Sequence, residues 1–538
     1  MSLRSAFTIF APSEKSDMLR KLLYVLLSVA LLSVGWLGGS GFALLVALVP
    51  MLAISASYGD SARDWWRMAG WAALIFVLWN AATVWWIWIA TPVGPLAATF
   101  FTTFWYMVAF MLYHYVSKRA PKGLAYAILV TAWLAVEHIY THSEVISFPW
   151  LVLGNGFSGA PWAVQWYEWT GVAGGTLWVL GSNIALFEAL RCRTRRAAVR
   201  TSVVMLLPVA VSAVMYLTYE PEPERVRIAV VQPNVDCYDE KFDGDVRGQL
   251  DNLLSLVDEV PRDAQFVVMP ETALPDRLAD EDPQAATSVR MIGERLSERC
   301  PDAMVAVGAT TMKIYPAGMP HSETARAGRG FYYDYYNAAV AIRGDSTEDV
   351  HHKMRLVIGV EAMPFPRLLR WLSFQSVDLG GITGQLGRSD GATVFHKGGV
   401  AAGPAICYEG LFGDAFAEFV RGGAEVMLVL SNDGWWGDTP GYRRLFDFCR
   451  LRAIETRRAV ARSANTGRSG FITSRGDVTE SLGWDKRGVI TSDVEVSQRM
   501  TAYVRFGDWI GRLSLVVAAM CLLCYSAYRV KRRNHLVN

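Results

Sequence analysis

Apolar stretches as long as a bilayer-crossing helix, separated by loops that alternate between basic and free of Lys and Arg, restrict this chain more than any other feature. A lipid-spanning helix needs about 20 mostly apolar residues. Segments of that kind begin near Lys21, Gly41, Met68, Gly94, Gly123, Gly171, Thr201 and Trp509. The second, Gly41 to Ser55, is short. The first is expected to be a retained anchor, because further spans follow at once and no small-residue cleavage pattern stands out. From Phe148 to Trp169 the chain is apolar but interrupted by Gly and Pro, the pattern of an interfacial or re-entrant segment.

The basic residues mark the N-terminus (Arg4, Lys15, Arg20, Lys21), the second loop (Arg63, Arg67), the fourth (Lys118, Arg119, Lys122), the sixth (Arg191, Arg193, Arg195, Arg196, Arg200) and the tail (Arg529, Lys531, Arg532, Arg533). The loops between them, at 37–41, 91–95 and 137–170, carry none. Positive charge stays on the cytoplasmic side of a membrane. Both chain ends are therefore expected in the cytoplasm, and the long segment between the seventh and eighth spans outside it. The expected organisation is a seven-span membrane domain at 1–218, an extracytoplasmic domain at 219–508, and an eighth span with a basic tail at 509–538. Composition agrees: 52% of the 538 residues are hydrophobic and 19% charged, which excludes a wholly soluble enzyme, a disordered chain and a densely charged nucleic-acid binder.

The segment from Tyr219 to Asp508 is long enough to fold alone. Apolar runs alternate there with helical patterns: RIAVVQPNV, QFVVMPETALP, AMVAVGATTM, YNAAVAI, VAAGPAICYEG, EVMLVLSNDGWW and AVARSANTG. Runs apolar on both faces imply a sheet covered on both sides, hence an α/β domain. The seven cysteines are an odd number and form no disulfide framework. Cys521 and Cys524 read as small apolar residues of a membrane helix. Cys449 falls on the apolar face of the helix opened by Thr439 and Pro440 and reads as core.

Three reactive residues stand at or beside the ends of apolar runs: Glu271, Lys353 and Cys407. Each has a plainer reading. Glu271 suits a helix N-terminal charge after Pro270, Lys353 a solvated strand residue, and Cys407 a small core hydrophobe. Together they supply a base, a cation and a nucleophile. His351 and His352 are adjacent on a strand and point to opposite faces, so they do not share an ion. Cys and His spacings elsewhere do not suit zinc, and no Gly-rich phosphate loop leads from a strand into a helix, so neither metal nor cofactor is expected. Asn80, His114, Glu137 and His138 lie in or near spans and are expected to serve packing or the interface.

With these motifs in hand, the long segment resembles the nitrilase, or carbon-nitrogen hydrolase, superfamily. Glu271 in the PE turn, Lys353 and Cys407 between AGPAI and YEG match its Glu-Lys-Cys triad. With its seven spans and closing span, the whole chain is similar to the apolipoprotein N-acyltransferase family of bacterial inner membranes. Supporting tracts are VVQPN at 230–234, YYNAAV at 335–340, KMRLVIGVE at 353–361, ICYEG at 406–410, SNDGWWGD at 431–438, RLRAIETRR at 450–458 and SANTG at 463–467. The chain departs from the family at Pro233, where Gly is usual, at Leu356 to Glu361, which read LVIGVE, and at Arg444-Leu445, where Gln-His is common.

The resemblance implies an αββα sandwich facing the periplasm and acyl transfer without a cofactor. Cys407 would be the nucleophile, Glu271 the proton acceptor, raised by burial, and Lys353 the stabiliser of the oxyanion. Glu361 would support the site, with Tyr408 and Glu409 flanking the nucleophile. Trp435 and Trp436 are candidates for lipid or substrate contact, with core packing as the alternative. The implied partners are a phospholipid donor and a diacylglyceryl-apolipoprotein acceptor within membrane lipid, no nucleic acid, and a monomeric enzyme. Two rivals are a membrane-tethered amidase or nitrilase acting on a small soluble substrate, and a non-catalytic membrane scaffold.

Overall fold

The computed structural model describes residues 14–238, 241, 245–344, 346–362 and 385–537. Arg4, counted among the basic residues of the N-terminus, lies outside them. Among the described residues, six helices are long and apolar enough to cross a membrane: Ala62–Val84, Gly94–Ser117, Lys122–His142, Tyr167–Cys192, Arg195–Leu217 and Trp509–Asn534. Each contains or adjoins one of the expected spans.

The first two expected spans are shorter apolar elements. Glu14–Ser33 begins EKSDMLRK, so charges occupy its first two turns and shorten the apolar part. Gly41–Ala56 is divided into a 3-10 turn and two short helices, Leu44–Ala47 and Val49–Ala56, with Pro50 at the start of the last. At the break, the Asn183 side-chain oxygen accepts from the main-chain N–H of Leu48 at 2.7 Å and of Val49 at 3.1 Å. Away from water, a freed backbone donor must be satisfied by protein.

The irregular stretch near 150 follows the same rule. It forms the 3-10 turns Pro149–Leu151, Leu153–Phe157 and Pro161–Ala163, and Trp150, Leu153, Asn155 and Phe157 are buried. Non-helical backbone is tolerated at membrane depth only when protein surrounds it, and here spans and the α/β domain do so. Of the polar residues noted in the spans, Asn80 bonds the Phe76 carbonyl, His114 bonds Ser55, and Glu137 accepts from Trp133, Tyr106, Thr176 and the Leu153 N–H. His138 pairs with Asp508 at 2.6 Å, joining the third of the six long helices to the start of the last.

All seven apolar runs of the polar segment are strands. One sheet runs, from edge to edge, Gly488–Glu495, Arg225–Gln232, Phe266–Val268, Met304–Pro316, Phe331–Arg343 and Arg326–Ala327, with Arg277–Ala279 and Ser346–His352 paired off this path. The other runs Val478–Leu482, Ser469–Ile472, Val460–Ala464, Val426–Ser431, Val400–Ile406 and Phe395–Lys397. The central strands of both sheets are parallel.

Alternation along the first sheet separates its two faces. Ile228, Val230, Phe266, Val268, Met304 and Ala306 share a core with Ala405, Leu428 and Leu430 of the second sheet. Ala229, Val231, Val267, Val305 and Val307 instead pack with Leu253, Val257, Ile292 and Leu296 of the helices Val246–Val257 and Thr287–Arg299. With both faces covered, the strands have no polar positions to spare.

Candidate active site

Strand ends from both sheets meet in one buried cluster. Cys407 directly follows the strand Val400–Ile406 and opens the 3-10 turn Cys407–Leu411 with φ +46°. Residues other than glycine rarely take that left-handed backbone, so the chain breaks its strand at the residue carrying the thiol. Cys407 is only 8% exposed.

Glu271 lies three residues beyond the strand Phe266–Val268 and is buried. Its Oε1 accepts from Lys353 Nζ at 2.9 Å and Asn337 Nδ2 at 2.7 Å, and its Oε2 from the main-chain N–H of Asn432 at 3.1 Å. The turn that holds it lies flat on the neighbouring strand at Gly308, where a Cβ would come within 2.5 Å of the Glu271 Cα. Only glycine fits that approach.

Lys353 immediately follows the strand Ser346–His352, and its main-chain N–H donates to the Asn337 carbonyl at 2.9 Å. Its ammonium reaches a second carboxylate, Glu361 Oε1, also at 2.9 Å, and Asn337 Nδ2 bonds the same oxygen at 2.7 Å. Two carboxylates thus share one ammonium and one carboxamide. The departing tract 356–361 still delivers its glutamate: Glu361 Oε2 accepts from the Val357 N–H at 2.8 Å, closing a tight turn. Glu409, fully buried, accepts from the N–H of Ile406 at 2.6 Å and of Met354 at 2.7 Å. It ties the residue before the thiol to the residue after the lysine.

Tyr408 and Trp436 reach the membrane domain, whereas Trp435 packs within the α/β domain. The Tyr408 hydroxyl donates to the Ser147 carbonyl at 3.0 Å. Trp436 meets Trp86 edge-on with ring centres 4.8 Å apart, and Trp435 meets Tyr238 edge-on at 5.3 Å. Arg444, at another departure, donates to the Gly35 carbonyl and so also joins the two domains. Cys449 is core, and His351 and His352 diverge toward Glu409 and Asp280.

Burial and charge oppose one another here. Burial alone raises a carboxyl pKa, but Lys353 and the donors around Glu271 outweigh it and hold Glu271 below the usual carboxylate range. This corrects the expectation that burial would raise it. Lys353 is held above the ordinary ammonium value, because Glu271 and Glu361 more than offset its burial. The Cys407 thiol is pushed well up by burial and then by the negative charge of Glu271, with Lys353 opposing. At rest the site therefore holds a neutral thiol beside an ionised pair.

Residue types alone did not single out Asn337, Asn432, Lys241 or the fully buried ion pair of Asp433 with Arg462 at 2.7 Å. Asn337 and Asn432 stand in the noted tracts YYNAAV and SNDGWWGD, yet a polar residue at a strand end reads equally well as solvated. At the membrane seam His138, His142 and Asp508 bring possible metal-ligand atoms within 4.8 Å of one another. His138 Nδ1 and Asp508 Oδ2 already hydrogen-bond each other at 2.6 Å.

Residues 227–503 match the carbon-nitrogen hydrolase family, and residues 25–185 match the apolipoprotein N-acyltransferase N-terminal domain. The chain is 29% identical over 497 residues to the apolipoprotein N-acyltransferase of Chlorobaculum tepidum, covering 89% of this chain and 90% of that one. It is 29% identical to that of Brucella suis, covering 76% and 74%, and 26% identical to that of Thermotoga maritima, covering 77% and 74%. Among solved structures it is similar to Saccharomyces cerevisiae Nit3 of the nitrilase superfamily, at 14% identity and TM-score 0.37, covering 51% of this chain and 90% of that one.

Proposed function

Since the chain belongs to the carbon-nitrogen hydrolase family, in its membrane-embedded apolipoprotein N-acyltransferase branch, we propose that Cys407 carries an acyl group from a phospholipid to the N-terminal amine of a lipoprotein. The protein is an N-acyltransferase of lipoprotein maturation, and the reading concerns how its residues do the work. The observation that carries it is the buried cluster of Glu271, Lys353 and Glu361 beside Cys407, in a domain seated on apolar helices.

In the first half-reaction the Cys407 sulfur attacks an ester carbonyl of the phospholipid. The S–C bond forms, the ester C–O bond breaks, and the thiol proton passes by way of Glu271 to the leaving lysophospholipid oxygen. Because the thiol is pushed up and Glu271 is held down, proton transfer accompanies attack and does not precede it. Lys353 faces the negative charge that develops on the carbonyl oxygen, a contribution of roughly 3–4 kcal/mol for one well-placed donor. In the second half-reaction the free amine of the diacylglyceryl-cysteine attacks the thioester. The N–C bond forms, the C–S bond breaks, and the proton lost by the amine passes by way of Glu271 to the sulfur. A covalent intermediate lets one lipid leave before the next enters, which gives ping-pong kinetics.

The basic-loop alternation supports an inner-membrane location, with the catalytic domain on the periplasmic side and its mouth at the outer leaflet. Docking of Tyr408, directly after the nucleophile, on the membrane domain fits a lipid substrate better than a small soluble one.

The test is incubation of the purified full-length protein with phospholipid alone, followed by intact mass. One acyl chain on Cys407, removable by hydroxylamine and absent from Cys407→Ala, is expected. A folded wild-type preparation that stays unacylated, or that releases ammonia from small amides instead, overturns the reading.

A further inference from the structure

Lys353 is not the only ammonium buried against Glu271. Lys241 is 8% exposed and donates from Nζ to the main-chain oxygen of Glu271 at 3.0 Å. The bonding pattern fits an Asn432 carboxamide whose oxygen faces Lys241 Nζ at 2.9 Å and Trp435 Nε1 at 3.3 Å. Asn432 also donates its main-chain N–H to Glu271 Oε2. Lys241 is therefore fixed from two sides against the residue that is to accept the thiol proton. Its main chain is anchored too, with its N–H donating to the Asp236 carbonyl and its own carbonyl accepting from Gln249 Nε2 at 3.2 Å.

Charge at the reaction cluster explains why a second cation belongs there. Glu271 and Glu361 bring two negative charges, and Lys353, bonded to both, brings one positive charge. Those three groups sum to minus one before any reaction. Passing the thiol proton to Glu271 moves a negative charge onto the sulfur or the carbonyl oxygen and leaves that sum at minus one, in a site closed to water where like charges repel strongly. Lys241 brings the four groups to neutrality. Asp433 and Arg462 alongside cancel each other as a closed pair and leave this sum unchanged.

We infer that Lys241 is a second positioning cation of the acyl-transfer reaction, whose charge balances Glu361 and lets Cys407 become anionic during attack. It acts through the field it places on the sulfur and through its grip on the Glu271 main chain, while Lys353 meets the carbonyl oxygen. Burial pulls the Lys241 ammonium below its ordinary value, and the charges of Cys237, Glu271 and Cys407 oppose that pull.

The inference rests on the acyl-transfer reading of Cys407, and the test separates the two. The full-length protein, its K241Q and K241R variants and E361Q are alkylated with iodoacetamide between about pH 7 and 9, and the Cys407 peptide is quantified by mass. K241Q is expected to alkylate about tenfold more slowly throughout, K241R to follow wild type, and E361Q, which loses a negative charge, to alkylate faster. Phospholipid-driven acylation of Cys407 should slow by about the same factor in K241Q. A folded K241Q that alkylates like wild type overturns the inference. Should K241Q fail to fold, an E361Q protein that alkylates no faster than wild type overturns it instead. If the alkylation shifts appear but phospholipid never acylates wild-type Cys407, the acyl-transfer reading fails while the electrostatic role of Lys241 stands.

Discussion

Two buried glutamates behave in opposite ways, one in the cluster with Lys353 and one at the seam between the α/β domain and the spans. Glu271 has donors on both oxygens, from Lys353, Asn337 and the Asn432 N–H, and is held below the usual carboxylate range. Glu455 pairs with Arg452 at 2.8 Å and accepts from the Val172 N–H at 3.0 Å, but burial outweighs both and Asp508 and Asp414 add to the push, raising it to about 7. Depth alone does not decide ionisation inside a protein. The number and sign of the neighbours decide it, so a reactive site and a docking seam are built from the same residue type.

Lys353→Met breaks the comparison most strongly. It leaves Glu271 and Glu361 buried together without their shared cation, and loss of roughly a thousandfold in acylation rate is expected from Cys407 acylation kinetics. The pH dependence should change as well. A carboxyl held low in the folded state adds stability above its unfolded value, and that stability is lost as pH falls through the folded value. Melting curves of the wild type should show this acid loss, and Lys353→Met should lack the part due to Glu271.

Glu455→Gln tests the other side. A folded value of about 7 against 4.5 unfolded means that the folded state binds the extra proton, so stability falls as pH rises through that window and levels above it. The wild type should lose on the order of 3 kcal/mol between about pH 5 and 8 from this group. In Glu455→Gln that slope should disappear from the pH dependence of thermal unfolding, with Cys407 acylation retained. Equal slopes in the two proteins would remove the contrast.

The smallest effect is expected of Tyr408→Phe, which deletes the hydroxyl bonded to the Ser147 carbonyl. The expected cost is about 1 kcal/mol, read as a lowered denaturation midpoint. Acylation kinetics should change little, because the ring still packs on Phe412. A large kinetic loss would show that the seam, and not only the cluster, sets the chemistry.

Much of this was legible in residue order. Apolar length identified the crossing helices, and the first two expected spans are shorter apolar elements, where charge fills the start of Glu14–Ser33 and where Pro50 and a break at Leu48 divide Gly41–Ala56. The apolar runs identified the strands because each is buried on both faces. Glu271, Lys353 and Cys407 were visible as reactive residues at strand ends, and Glu361 came only with the family resemblance. Glu409 stood beside the thiol with no sign that its two oxygens bind the N–H groups of Ile406 and Met354. Lys241, Asn337 and Asn432 were silent, since nothing in their own neighbourhoods separates a partner of Glu271 from a solvated polar residue.

The sequence by itself determined which segments leave water, because transfer of apolar surface depends on residue type and local period. It likewise marked Glu271, Lys353 and Cys407 as reactive residue types at strand ends. The tertiary structure alone decided how those residues are charged. The donors that ionise Glu271 come from positions 66, 82 and 161 residues away, and only sheet pairing and domain packing bring them within bonding distance. Electrostatic energy depends on distance through space, which no local pattern encodes.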